Sequence, residues 1–369
     1  MKSQKENTMN KSEKKLLDML TYKRREGSVG QQLFNTRFIQ PMMGKPDKVG
    51  NYLCQVYPDG QVEKFAGVIH PKNKIIFMAH HDTVHKTDGR QKVFYDPTSN
   101  TAYVDHDECL GADCTTGVFL ILEMIRAKVP GLYIIHAGEE CGGIGSRDIV
   151  KGNPKWLNDV DACISFDRYG TNSIITHQMG QRTCSESFAD DLESILKMGL
   201  KSDSGGVYTD SYEYCDIVSE CTNISVGYYN QHTKMEHQDM GFVMKLRDAI
   251  INADWGKLRG YRDPTTVEYD DWGYTRGWTS KNENKQNNVS TYVSKFDKSG
   301  ATDDDNYDYL CDRYSSIERV VEAFPYEISQ NLQEYGYDKG GLIKDILNHH
   351  SWMSENGYRQ RKAPYSFPP

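Results

Sequence analysis

The chain has 369 residues, which suits one large domain or two modest ones. At 37% hydrophobic residues it is more polar than most globular chains. It still carries enough apolar side chains for a core, which excludes a wholly disordered chain and puts the surplus polarity in tails or linkers. A net charge of -8 argues against a general nucleic-acid binder and against a polybasic membrane-surface protein.

Residues 1–11 are polar and read as a disordered leader. The stretch is basic but has no apolar segment of the kind a secretion signal needs. Ser12 is placed to cap a helix that carries Leu16, Leu17 and Leu20 and ends near Gly27. Asn51–Tyr57 and Gln61–Val68 flank Pro58-Asp59-Gly60, the pattern of a hairpin. From Lys74 the pattern alternates between short apolar runs and longer helical ones. Strands are expected at 74–79, 131–137, 161–166 and 222–229. Helices are expected at 115–128, 187–200 and 241–255, the first apolar almost all round and therefore buried. This alternation indicates an α/β fold, a three-layer sandwich on a mixed, mostly parallel central sheet. Residues 258–307 read as a linker or long loop, rich in Asn, Lys, Ser, Thr and Asp over 276–307. Residues 308–369 read as a small helical appendage: Ser315 and Glu318 form a capping box, and 342–352 is amphipathic. The catalytic domain is thus expected over 12–257.

No apolar run is long enough for a membrane-spanning helix. The nine cysteines are scattered and include no C-x-x-C pair, which fits reduced thiols in the cytoplasm better than disulfides or a thiolate zinc site.

The informative pattern is where metal-competent side chains fall. His80 and Asp82 follow the strand at 74–79. Glu139 and Glu140 follow that at 131–137, Asp167 that at 161–166, and His232 that at 222–229. Asp113 precedes the buried helix. Open α/β sheets bind ligands beyond the carboxyl ends of their strands, so these groups are expected on one rim. Two imidazoles with several carboxylates suit Zn²⁺, with Mn²⁺ or Co²⁺ as substitutes. Two bridged cations would clamp the attacking and leaving oxygens of a hydrolysis. Adjacent Glu139 and Glu140 can divide the labour, one as ligand and the other as proton acceptor. Asp82, two residues past His80, can fix the imidazole's tautomer.

In order, HHDTV, LGADCTTG, AGEECGGIGS, SFD and HTKME resemble the motifs of the co-catalytic zinc exopeptidases. That group includes aminopeptidases, tripeptidases, glutamate carboxypeptidase and the acetylornithine deacetylases. The resemblance spans about residues 12–255 and rests on the ordered set of five, since each motif alone is common. It implies that His80, Asp113 and Asp167 bind one zinc ion and Asp113, Glu140 and His232 a second. It makes Glu139 the general base and Asp82 the residue that orients His80. It also implies a peptide substrate, and a metallopeptidase of the aminopeptidase type. The interval from Asp167 to His232 leaves no room for an inserted lid domain of about a hundred residues, which favours the single-domain aminopeptidase branch.

The sequence departs from that pattern at three places. Cys114 follows the bridging Asp where an acid or Asn is usual, and whether Asp113–Cys114 keeps the family's cis peptide is left open. A Pro common after H-x-D is missing. The C-terminal region is additional. An amidase, a deacylase and a glutaminyl cyclase are the enzymatic alternatives. A retired peptidase fold that binds partners or self-associates through its C-terminal helices is the non-enzymatic one. Glu139 speaks against the last, because a structural site has no use for a spare carboxylate.

Neighbouring residues have plainer readings. His81 and His85 read as satisfied loop histidines and His136 as a hydrogen-bonded core histidine. Cys114 and Cys141 read as small apolar fillers. Arg168 is divided between holding a substrate carboxylate and an ordinary ion pair. Tyr208, Asp210, Tyr228 and Tyr229 read as packing, and Asp303–Asp305 as a solvated acidic run.

Overall fold

The computed structural model describes residues 9–65, 74–152 and 157–268. The chain divides into two units, Met1–Ser280 and Lys281–Pro369. The acidic run, the capping box and the C-terminal helices read from the sequence lie outside the described residues.

Helix α1 (Lys11–Leu20) buries Leu16, Met19 and Leu20. Its cap is Asn10 and not Ser12. The Asn10 side chain accepts the N–H groups of Ser12 and Glu13, and Glu13 returns a bond to the Asn10 N–H. This reciprocal box satisfies orphan donors that Ser12, already inside the helix, could not. The helix ends at Leu20, ahead of Gly27, and the chain then forms α2 (Val29–Phe34), capped by Ser28. A π-helical turn (Asn35–Ile39) and a short helix (Gln40–Met43) continue it.

Eight strands form the main sheet: β1 (Tyr52–Val56), β2 (Val62–Phe65), β3 (Ile75–His80), β4 (Gly131–His136), β5 (Ala162–Arg168), β6 (Ser173–Ile175), β7 (Lys201–Asp203) and β8 (Glu220–Ser225). Their spatial order is β7-β6-β8-β5-β3-β4-β1-β2. The central four, β8-β5-β3-β4, are parallel to one another. The β1/β2 hairpin joins β4 antiparallel, and β6 joins β8 antiparallel. The interval between Asp167 and His232 supplies β6, β7 and β8, so it builds one side of the same sheet.

Two apolar layers cover the sheet. Phe77, Tyr133, Ile135, Ile164 and Phe166 face a core shared with α1, α3 (Ala112–Arg126), α5 (Glu186–Leu196) and α6 (Met240–Asn252). Ile76, Met78, Leu132, Ile134 and Cys163 face a second core, toward α4 (Ile144–Gly152) and the 3-10 turn Asp210–Tyr214. Burial on both faces explains the uninterrupted apolar runs in β3 and β4. Helix α3 is the central prop, with Val118 to Ile125 all buried. Each fully buried Leu, Ile or Phe there contributes roughly 1.5–3 kcal/mol.

Pairing of β3 with β5 stops at Met78–Ser165, two residues short of His80 and Asp167. The opening between the two strand ends is where the polar residues gather. The strand expected at 222–229 divides. β8 ends at Ser225, and Tyr228–Tyr229 joins a smaller sheet with His237–Asp239, Thr101–Tyr103 and Phe94–Asp96. Past residue 257, Tyr261 and Arg262 donate backbone N–H groups to Glu220 and the Arg262 side chain bonds the Ser219 carbonyl. The start of the stretch read as a linker is thus fastened to β8. No helix among the described residues is long and apolar enough to cross a membrane.

Candidate metal centre

Four strand ends and one helix start converge on one rim. β3 delivers His80 and, just beyond, Asp82; the turn after β4 delivers Glu139 and Glu140; β5 delivers Asp167. The loop between Tyr229 and His237 delivers His232, and the start of α3 delivers Asp113. Within α3, Asp113 and Cys114 have non-helical dihedral angles and the bond between them is cis.

Asp113 occupies the middle. Its Oδ1 lies 3.1 Å from His80 Nε2 and its Oδ2 lies 3.2 Å from His232 Nε2. Asp167 Oδ1 is 3.4 Å and Glu139 Oε2 3.9 Å from the same nitrogen of His80. Glu140 Oε1 is 3.1 Å from His232 Nε2. Donor atoms of Asp113, Glu140 and His232 all lie within 4.8 Å of one another. His80 is buried, whereas the His232 side chain is 48% exposed, so the cluster opens to solvent on the His232 side.

Asp82 is fully buried behind His80. Its Oδ1 stands 3.2 Å from His80 Nδ1 and accepts the Glu139 N–H, while Oδ2 accepts the Glu140 N–H. One carboxylate therefore fixes both an imidazole and the Glu-Glu turn. Gly138 begins that turn at φ +64°, where a Cβ would lie 3.0 Å from Ile144.

Other supports were not read from the sequence. Glu236, the acid of HTKME, is buried and accepts the N–H groups of Gly111 (2.8 Å) and Asp113 (3.1 Å). Thr209 donates to Asp167 Oδ2 at 2.8 Å, and the Tyr228 hydroxyl donates to the Asp167 carbonyl at 3.0 Å. Arg24 is wholly buried, donates to the His81 carbonyl and Thr115 Oγ1, and stacks on Phe34. It ties the turn after β3 to the start of α3. Only Glu236 had a local signal, as a lone acid four residues past the candidate ligand His232. The others are recruited by tertiary contact.

His81 sits between Gln31, Asn35 and the Gly50 carbonyl, and His85 between Thr83 and Gln91. His136 is enclosed by Asp210 and Tyr214. Arg168 faces the opposite way from Asp167, onto Tyr169, Asp203 and the Gly205 carbonyl, so it is an internal ion-pair partner. Tyr228 carries a bond to Asp167 beyond its packing.

Burial dominates the electrostatics. It pushes the Glu139 carboxyl well above the usual range, and the charges of Glu140, Asp167 and Asp210 add to it. Burial and then Asp113 raise Asp167 to about 7. Burial would also raise Asp113, but hydrogen bonds from His232 and His80 outweigh it and hold the group well below its ordinary value. Four nearly buried carboxylates thus crowd two imidazoles. Among the described residues the ion pairs these carboxylates make are to His80 and His232. Buried like charges of this kind are stabilised by cations, and the His and carboxylate donors fit zinc and related divalent ions.

Over residues 64–211 the chain matches the model of Peptidase family M28. That stretch holds HHDTV, LGADCTTG, AGEECGGIGS and SFD, and it ends before HTKME. The resemblance to the zinc exopeptidases is therefore carried by the family match as well as by the motifs, and the chain is of the peptide-hydrolase class. Among solved structures it is similar to a tripeptidase from Staphylococcus aureus, at 14% identity over 65% of this chain and 96% of that one, with a TM-score of 0.49. It is similar to the TET1 peptidase of Pyrococcus horikoshii at 14% identity over 65% and 98%, TM-score 0.46. It is similar to a zinc aminopeptidase from Bacillus subtilis at 17% identity over 57% and 50%, TM-score 0.37. No curated protein matches its sequence.

Proposed function

We propose that the protein is an exopeptidase of the aminopeptidase type that works with two divalent cations, zinc first among them. The observation that carries this reading is Asp113, whose two oxygens point to two different imidazoles, His80 and His232. In this assignment His80, Asp113 and Asp167 hold one cation and Asp113, Glu140 and His232 the other. When bound, such a pair polarises the scissile carbonyl and stabilises negative charge on its oxygen. Asp82 holds the His80 ring so that Nε2 faces the site. Glu139 is the proton carrier. Its carboxylate takes a proton from the attacking water and passes it to the leaving amine. Its Oε2 faces His80 while its backbone N–H is pinned by Asp82, so the group is held in place without being locked into an ion pair with Lys or Arg. The reading keeps the reducing, cytoplasmic setting inferred from the cysteines, and the eight described ones are free.

Two variants test it. Glu139→Gln is expected to retain two cations per chain and lose at least ~100-fold in turnover. Asp113→Ala is expected to lose cations and activity together. Metal analysis with a panel of free-amine dipeptides, acyl-amino acids and N-terminal glutaminyl peptides reads both outcomes. Unchanged turnover in Glu139→Gln would remove the proposed base. Cleavage confined to acyl-amino acids would replace the aminopeptidase reading by the deacylase.

A further inference from the structure

Cys114 stands beside the proposed bridging residue with a donor atom of its own. It is wholly buried. Donor atoms of His80, Cys114 and Asp167 all lie within 4.8 Å of one another. Sγ stands 3.2 Å from the Phe166 carbonyl, one residue before Asp167. The space for it exists because residue 117 is glycine: a Cβ there would lie 2.4 Å from Sγ. A sulfur, an imidazole and a carboxylate thus meet on the core side of the cluster, at the opening between β3 and β5.

We propose that Cys114 supplies a thiolate to the cation held by His80 and Asp167, making that position a sulfur-bearing site selective for thiophilic cations. The inference rests on the two-cation reading above and adds to it a ligand that reading does not require. In tetrahedral zinc sites sulfur and nitrogen donors lie about 3.5 Å apart, so a modest closure of the three groups completes the set. As the cation enters, the S–H bond breaks, its proton leaves to solvent, and a sulfur–metal bond takes its place. The Phe166 carbonyl then loses its donor. Thiolate favours zinc and cadmium over manganese and magnesium, whereas an all-oxygen-and-nitrogen site discriminates less between them.

Cobalt(II) loading of the full chain tests the inference. The expected result is two cobalt ions per chain with a thiolate-to-cobalt charge-transfer band in the near ultraviolet. The band should vanish in Cys114→Ser and persist in Cys141→Ser, whose cysteine is exposed next to Glu140. In competition, Cys114→Ser should lower the preference for zinc over manganese by roughly tenfold or more. Two bound cobalt ions without the band in the wild-type chain would overturn the thiolate ligand and leave the two-cation reading standing. No bound cobalt would overturn both. The wild-type spectrum decides even where Cys114→Ser does not fold.

Discussion

Asp82 meets three groups with its two carboxylate oxygens: the His80 ring and the N–H groups of Glu139 and Glu140. An amide at this position offers one acceptor oxygen and an NH2 that faces further donors. Asp82→Asn therefore leaves at least one of the Glu139 and Glu140 N–H groups without an acceptor, at a cost of about 1–3 kcal/mol. It also frees the His80 ring. The expected result is a ~10–100-fold loss of metal affinity in chelator competition. Unchanged affinity would mean that His80 is held by packing alone. His85 gives a pH prediction. Burial lowers it from the ordinary 6.5 to about 4. The unfolded chain takes up this proton first as the pH falls, so stability is full above about 6.5 and declines from there toward 4. His85→Gln should flatten that decline, read as unfolding free energies at pH 7 and pH 5; equal slopes would contradict it. The candidate ligands were legible because His and carboxylates at successive strand ends share one rim in any open parallel sheet. Thr209, Arg24 and Tyr228 were not, because their partners lie 42, 91 and 61 residues away in sequence.

The elements that matter most are the turns. Gly111 precedes the proposed bridging Asp at φ +70°, and a Cβ there would lie 2.6 Å from His85 Cε1. Its N–H is held by Glu236. Gly111→Ala should cost about 1–3 kcal/mol in urea unfolding and lower metal content, since Asp113 moves with the turn. An unchanged midpoint would show that the turn tolerates a side chain. The long elements were readable from periodicity: β3, β4, β5, α3, α5 and α6 lie within a few residues of the expected ranges. Short ones were not. Phe94–Asp96 and Thr101–Tyr103 are three residues each; they pair with one another, and Thr101–Tyr103 pairs in turn with His237–Asp239, a contact no local pattern announces. The π-helical turn at Asn35–Ile39 has no local signal either. Asn10 outcompeted Ser12 as a cap because Glu13 sits at the position that completes the box.

At the scale of the molecule, the site belongs to a sheet with a core on each face, and the stretch after Lys257 is fastened to β8 through Glu220 and to the neighbouring Gln181–Arg182 strand through Glu268. Glu220 is wholly buried and accepts from Ser185, Tyr261 and Arg262, while the Glu268 carbonyl accepts from Arg182. A chain cut after Lys257 loses the Tyr261 and Arg262 bonds, and one cut after Glu268 keeps them. The shorter chain should melt several degrees lower. Equal melting temperatures would mean that 258–268 adds nothing to the fold. The central claim is that one carboxylate, Asp113, stands between two cations. Anomalous diffraction from zinc-loaded crystals tests it most directly. The expected result is two peaks ~3.5–4 Å apart, one toward His80 and Asp167 and one toward Glu140 and His232, with Asp113 between them. A single peak, or two that do not share Asp113, would contradict it.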